Sequence, residues 1–185
     1  MRVTLVAVGQ RIPAWVGQGF AEYSKRLRAR LPLELVEVPA AKRGSGDLAR
    51  SIAEEGKRLL AAIRPQDHVV ALDERGTVRT SLEFSRWLGK RLQSGADLVF
   101  LVGGADGFAP AVLARAEERW SLSSLTLPHA LVRVVFAEQL YRAVTVLDGH
   151  PYHRECRHSS SRLSFSLRPH RVAGSCCNNW ECRTR

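Results

Sequence analysis

A short apolar run that ends in glycines decides the predicted fold: Asp97-Leu98-Val99-Phe100-Leu101-Val102-Gly103-Gly104-Ala105-Asp106-Gly107. A run of this length and composition is typical of a strand buried inside a sheet. The glycines that follow permit positive φ angles and close approach of the backbone to a ligand. In an open α/β sheet, ligands bind beyond the carboxyl ends of the strands. The segment therefore predicts a strand leading into a ligand-binding loop, although a tight turn that serves only the fold explains these glycines equally well.

Around this segment, strands and helices alternate along the chain. Apolar or alternating runs predict strands at Val3–Val8, Leu33–Val38, His68–Leu72 and Asp97–Val102. Apolar residues at helical spacing predict helices at Trp15–Leu27, Leu48–Ile63 (capped by Asp47), Leu82–Leu92, Pro110–Trp120 and from His129 to about Leu147. The polar run Asp73–Gly76 is predicted to be a turn. This alternation implies an α/β fold, a parallel sheet with helices on both faces.

The composition fits one soluble globular domain. The chain has 185 residues, of which 45% are hydrophobic and 25% charged, and no apolar run approaches the ~18 residues that would span a membrane. Its amino terminus lacks the longer apolar core and cleavage site of a signal peptide, so we expect a cytoplasmic protein. The glycine spacing is not G-x-G-x-x-G, and no G-x-x-x-x-G-K-[ST] occurs, so nicotinamide and P-loop nucleotides have little support.

The net charge of +10 is unevenly distributed. Residues 156–185 contain six Arg residues and one Glu, a balance of +5, and the first 155 residues contain 22 basic and 17 acidic residues, also +5. The first 155 residues are therefore basic without the help of the tail. Such a charge suits a polyanionic partner such as RNA, because neutralised phosphates supply much of the affinity for nucleic acids. It is equally typical of a surface that only maintains solubility.

The last thirty residues differ in character from the rest of the chain. They are rich in Ser, Arg, Cys and Asn and lack a sustained apolar period. We predict that residues 156–185 form a poorly ordered extension of a single domain at residues 1–155. All four Cys residues lie in this tail, which argues against a disulfide-built domain, and the absence of any CxxC pair argues against a zinc site.

Two polar segments carry the candidate chemistry. Residues 120–129, Trp-Ser-Leu-Ser-Ser-Leu-Thr-Leu-Pro-His, combine hydroxyl groups with leucines that can cover an adenine; a buried strand before a proline-started helix is the alternative. The second segment comprises Arg142 and His150-Pro151-Tyr152-His153-Arg154. Arg and His suit phosphate contacts, and Tyr can stack on a base. Glu138 and Arg142 can equally form a surface ion pair.

Three segments together resemble the RlmH family of the SPOUT superfamily. They are Leu5–Gly9, the stretch from Val102-Gly103-Gly104 through Trp120-Ser121-Leu122-Ser123, and the stretch from Leu125-Thr126-Leu127-Pro128-His129 through His150-Pro151-Tyr152-His153-Arg154. Glu37-Val38-Pro39 with Lys42-Arg43-Gly44 also matches in kind and place. The resemblance covers residues 1 to about 155. Family members usually end at or just after the Tyr-His-Arg segment, so the tail is an addition.

The resemblance implies a carboxyl-terminal trefoil knot, a homodimer and methyl transfer from S-adenosyl-L-methionine to N3 of pseudouridine 1915 in 23S rRNA of the assembled ribosome. No metal is expected. The implied cofactor contacts are Leu72, Gly103, Leu122, Ser123, Ser124, Leu125, Thr126 and Leu127. The implied catalytic and substrate residues are Arg142, Tyr152, His153 and Arg154, with His129 as a neighbour. We expect His153 to handle the N3 proton and Arg142 or Arg154 to stabilise developing negative charge.

Two other classes of protein remain open at this point. The first is a basic RNA-binding or ribosome-assembly factor without catalysis, which binding of S-adenosyl-L-methionine would argue against. The second is a small-molecule α/β enzyme, which would be active without ribosomes.

Overall fold

A computed structural model describes residues 1–41 and 48–150 of the chain. These residues form five strands: β1 Val3–Val8, β2 Leu33–Val38, β3 His68–Val78, β4 Leu98–Val102 and β5 Glu118–Ser121. They also form five helices: α1 Ala14–Leu27, α2 Leu48–Ala61, α3 Ser81–Ser94, α4 Pro110–Arg115 and α5 His129–Leu147. The predictions for Lys42–Asp47, Tyr152, His153, Arg154 and the tail lie outside the described residues.

All five strands are parallel, in the order β2-β1-β4-β3-β5. Strand β4 lies at the centre, and each of its five residues is buried. This confirms the parallel α/β sheet and explains why β4 is an uninterrupted apolar run: a strand covered on both faces needs apolar side chains at every position.

Helices cover both faces of the sheet, as predicted. Alternate residues of a strand point to opposite faces, so Phe100 enters a larger core beneath α1, α3 and α5, whereas Leu101 enters a smaller core beneath α2 and α4. The larger core is rich in aromatic rings; the Phe100 and Phe136 ring centroids lie 4.5 Å apart. No helix within residues 1–41 and 48–150 is long and apolar enough to cross a membrane. The trefoil knot stays a prediction.

The predicted helix Pro110–Trp120 is wrong in its second half. Helix α4 ends at Arg115, Ala116 adopts an extended ψ of 127°, and β5 pairs with β3. This pairing buries Trp120 to 3% exposure. Local helix propensity is a weak preference, and the pairing and burial of β5 outweigh it.

The turn predicted at Asp73–Gly76 is also wrong, because β3 continues to Val78. The register shifts here, so that Leu72 and Thr77 both pair with Trp120 and the residues between them bulge outward. A Cβ atom on Gly76 would overlap the backbone of Trp120. The polar residues of a typical turn therefore form a strand irregularity that only glycine permits.

Candidate functional site

A cavity of about 600 Å³ opens beside Leu72 of β3, Val102 of β4 and Ser121 of β5. Its volume is in the range of small-molecule sites. Its walls come from the β3 bulge, the glycine loop after β4, the segment after β5 and the first turns of α5, where His129 and Val132 contribute. The cavity thus lies at the carboxyl edge of the sheet, where ligands bind in open α/β folds.

The glycine loop forms one wall of this cavity with its backbone. Gly107 has a φ of +85°, and its N–H donates to the carbonyl oxygen of Gly104 at 3.2 Å. Gly103 is buried, and a Cβ atom there would lie 3.0 Å from the carbonyl oxygen of Gly107. The loop is therefore closed so tightly that a side chain at position 103 would distort the cavity wall.

The segment Leu122–Leu127 is not the buried strand considered as an alternative, because β5 ends at Ser121. Hydroxyl groups shape this segment: Ser121 Oγ donates to the Ser123 carbonyl at 2.7 Å, and Ser123 Oγ accepts the Leu125 N–H at 2.9 Å. The side chain of Leu125 is left 75% exposed at the cavity. Ser and Thr side chains that bond to nearby backbone compete with strand formation in this way.

Most of the predicted cofactor residues meet at this cavity. Its lining includes Leu72, Gly103, Leu122, Ser123, Leu125, Thr126 and Leu127. Ser124 is exposed and does not line it. The leucines offer apolar faces and the loops offer backbone donors and acceptors, an arrangement that suits a planar heterocycle with polar edges.

Sequence reasoning missed the charged wall of the cavity. Asp73 and Arg119 form an ion pair at 3.0 Å, and the Arg75 N–H donates to Asp73 Oδ1 at 2.8 Å. Across the cavity, Thr126 Oγ1 donates to Glu74 Oε2 at 3.2 Å. The available signal was the run Asp73-Glu74-Arg75 directly after an apolar strand, since polar residues at a strand's carboxyl end often face a ligand.

Arg133 was also missed, and it fixes the position of α5. Its side chain is fully buried; Nη1 donates to Glu37 Oε1 at 2.6 Å, and Nη2 donates to the carbonyl oxygens of Gly9 at 2.6 Å and Val8 at 3.0 Å. Burial lowers the pKa of the Arg133 guanidinium, and the Glu37 carboxylate opposes that shift. Arg133 thus ties α5, which lines the cavity with Val132, to the ends of β1 and β2.

Arg142 lies away from the cavity of its own chain. It is thirteen residues beyond His129 on α5, which corresponds to about 20 Å along the helix. Its Nε donates to Glu138 Oε1 at 3.0 Å, so the predicted i,i+4 pair is present. Tyr152, His153 and Arg154 lie outside the described residues, and the role of all four side chains stays a prediction.

The described part of the chain holds no group of three or more His, Cys, Asp or Glu side chains arranged to bind a metal ion.

Comparison of the sequence with models of known protein families identifies a class of protein with which the fold and the cavity agree. A family model described as "Predicted SPOUT methyltransferase" matches residues 1–153. The chain belongs to the SPOUT methyltransferases.

Proteins with similar sequences identify the family within this class. Ribosomal RNA large subunit methyltransferase H of Thioalkalivibrio sulfidiphilus is 54% identical over 156 residues, covering 84% of this chain and 100% of the relative. Proteins of the same name from Alkalilimnicola ehrlichii and Pseudomonas aeruginosa are 53% and 50% identical over 155 residues, each covering 83% of this chain and 99% and 100% of the relative. Within the SPOUT class, the chain is a member of the RlmH family, which confirms the resemblance seen in its motifs.

Proposed function

We propose that this protein methylates N3 of pseudouridine 1915 in 23S rRNA of the assembled ribosome, with S-adenosyl-L-methionine as methyl donor. The observation that carries the proposal is the cavity beside Leu72, Val102 and Ser121, because the segments that build it are those that the RlmH resemblance assigns to the cofactor. The relatives are large-subunit rRNA methyltransferases by name, which supports the same class of substrate.

The residues of the cavity fit this donor. Leu122, Leu125 and Leu127 would cover the adenine, and backbone groups of Leu72 and Gly103 would bind polar edges. When bound, the donor supplies a methyl group on a positively charged sulfonium. Positioning of that group against the acceptor would account for much of the rate acceleration.

The proposed chemistry at the acceptor uses side chains from the carboxyl-terminal part of the domain. N3 of pseudouridine must lose its proton around the time of methyl transfer, and we assign this proton to His153. Arg142 or Arg154 would stabilise the developing negative charge or bind an adjacent phosphate. Tyr152 would stack on a base.

A second copy of the chain would complete this site. Arg142 lies about 20 Å along α5 from His129 at the cavity, so one chain does not bring the two together. Trp15 of α1 is 56% exposed, and Leu131 and Val135 of α5 are half-buried, which leaves apolar surface for a second copy to cover. We therefore propose a homodimer in which Arg142 of the partner subunit approaches the cavity.

The proposal is tested with ribosomes purified from a strain that lacks the enzyme. Incubation with the protein and S-adenosyl-L-methionine should add one methyl group, which mass spectrometry of the digested rRNA should locate at N3 of the target pseudouridine. An isolated stem-loop should react far more slowly, because a small basic domain needs the surrounding particle to select one nucleotide. Ribosome binding without methylation would favour a non-catalytic RNA-binding factor.

A further inference from the structure

Glu55 of α2 is a nearly buried carboxylate that the proposed function does not use. Glu55 is 9% exposed, and its Oε1 accepts the Ala41 N–H at 2.9 Å. The other oxygen, Oε2, faces Gly104, and a Cβ atom built on Gly104 would overlap it. Among the described residues, Oε2 has no hydrogen-bond donor. One oxygen of Glu55 is therefore anchored while the other points at the glycine loop.

Helix α2 holds this carboxylate directly behind the cavity wall. Gly104 lines the cavity and carries no side chain, so only the loop backbone separates Glu55 from the cavity. The neighbouring Gly56 packs against the far end of the same loop, where an added Cβ would lie 2.6 Å from the Cβ of Ala109. The close packing of α2 on both Gly104 and Ala109 fixes the position of the charge.

A carboxylate that is largely removed from water interacts strongly with charges nearby. Two other carboxylates at the cavity already have partners: Asp73 pairs with Arg119, and Glu74 accepts a hydrogen bond from Thr126. Glu55 Oε2 differs from both. Its negative charge, held against Gly104, therefore acts on the charge of a ligand on the other side of the loop.

We propose that Glu55 makes the cavity select the positively charged methyl donor over the neutral product. This inference rests on the proposed function. In the transfer, the carbon–sulfur bond breaks, the methyl group bonds to N3 of the nucleobase, the N3 proton passes to the base assigned above, His153, and the sulfur keeps the electron pair as a neutral thioether. A fixed negative charge behind the glycine loop therefore attracts the donor more than the product. Glu55 acts through the loop without touching the reacting atoms, as a specificity-determining residue.

Glu55→Gln tests this inference, because it removes the charge while its amide oxygen can still accept the Ala41 N–H. Calorimetry would give dissociation constants for S-adenosylmethionine, for S-adenosylhomocysteine and for sinefungin, an analogue with an ammonium group in place of the methylsulfonium. The ratio of the product constant to the donor constant should fall roughly fivefold, as expected for one partly screened charge pair. The affinity for sinefungin should fall together with the affinity for S-adenosylmethionine, because both ligands carry a positive charge.

Glu54→Gln is the matched control, since Glu54 is the adjacent residue but is exposed and paired with Arg58. In Glu54→Gln, the ratio of the product to the donor dissociation constant should equal that of the unaltered protein. Glu55→Asp provides a second test that keeps the charge: its ratio should stay close to the unaltered value even if all affinities fall. This inference alone would be overturned if Glu55→Gln lowered the affinities for all three ligands by the same factor. It would also be overturned if Glu55→Asp reduced the ratio of dissociation constants as much as Glu55→Gln does. Failure of the unaltered protein to bind S-adenosylmethionine would overturn the proposed function, and this inference with it.

Discussion

Single residues at the carboxyl edge of the sheet determine the shape of the cavity. Arg133 holds α5 from beneath, and Gly103 lets the glycine loop close on itself. Neither position tolerates a different shape: Arg133 supplies the donors that the Glu37 carboxylate and the carbonyls of Val8 and Gly9 accept, and a side chain at Gly103 would meet the Gly107 carbonyl. Substitutions at the two positions should nevertheless have different effects: a change at Arg133 should lower stability, and a change at Gly103 should weaken ligand binding.

Arg133→Met should lower the free energy of unfolding by about 3 kcal/mol, because it leaves the Glu37 carboxylate and the carbonyls of Val8 and Gly9 without their donor. Urea denaturation measures this change. Arg86→Met is the control; Arg86 is exposed on α3, and its loss should cost less than about 0.5 kcal/mol. Equal stability of the two variants would show that these groups do not depend on Arg133.

Gly103→Val should weaken binding of S-adenosyl-L-methionine at least about tenfold, which is 1.4 kcal/mol, and leave the protein folded. The new side chain would meet the Gly107 carbonyl and the ring of Phe108 and push the loop out of shape. Calorimetry measures the affinity, and a thermal melt checks the fold. Gly17→Ala is a control in open space on α1. A folded Gly103→Val protein with unchanged affinity would remove this loop from the site.

At the scale of elements, β5 is held in the sheet by the Glu118 carboxylate. This carboxylate accepts the indole N–H groups of Trp87 at 2.6 Å and Trp120 at 3.0 Å, and Arg79 Nη2 donates to it at 2.8 Å. Burial acts to raise the pKa of Glu118, but the bonds from Trp120 and Trp87 and the charge of Arg79 outweigh it, so that the pKa is lowered. The network therefore stabilises β5 more strongly while Glu118 is ionised.

This network predicts a specific dependence of stability on pH. A lowered pKa in the folded state contributes stability that is present above the ordinary glutamate value of 4.5 and is lost as the pH falls through the folded pKa. Glu118→Gln should cost about 1–2 kcal/mol at pH 7 and should lose less stability than the unaltered protein between pH 5 and about pH 3. Urea denaturation across this range tests it. Glu34→Gln, a change at an exposed position on β2, should show the same dependence of unfolding free energy on pH as the unaltered protein. If Glu118→Gln also showed that dependence, the network would be excluded as a source of acid sensitivity.

At the scale of the whole molecule, the proposed functional unit is larger than one chain. The cavity lies at the first turns of α5, and Arg142 lies near its other end. Two impaired variants can therefore complement each other if they form a mixed dimer, because one of its two sites would combine an intact cavity with an intact Arg142.

Co-expression of Gly103→Val with Arg142→Ala should restore about half of the activity per mixed dimer, one site of two. Each variant alone should be strongly impaired when S-adenosyl-L-methionine is kept below the dissociation constant of the unaltered protein. The mixed dimer is isolated through two different affinity tags and assayed on ribosomes. If Arg142 instead served the cavity of its own chain, the mixed dimer would contain no complete site and would stay as impaired as the single variants.

Truncation after Glu155 should leave the melting temperature nearly unchanged and methylation equal or higher. The family model ends at residue 153, and the tail has few large apolar residues with which to stabilise a domain. Its six Arg residues should raise affinity for rRNA mainly at low salt, because such contacts weaken as salt rises. Both proteins are compared under reducing conditions, so that the four Cys residues do not cross-link. A folded truncated protein that methylates far more slowly would make the tail part of the catalytic machinery.

The sequence by itself determined the parallel α/β sheet and pointed to most of the residues that line the cavity. Apolar runs such as Leu98–Val102 report burial directly, and the resemblance to the RlmH family pointed to Leu122–Leu127, a segment that lines the cavity apart from Ser124. Local patterns suffice for the strands because hydrophobic periodicity is a property of neighbouring residues.

Only the tertiary structure decided that β5 is a strand, that β3 continues through a bulge, and that Glu55 faces Gly104. It also decided that Arg133 meets Glu37, ninety-six residues away in sequence. The physical reason is common to all of these. Each depends on which distant groups share a buried space, and a buried charge or an edge strand takes its conformation from those partners more than from its own neighbours in the chain.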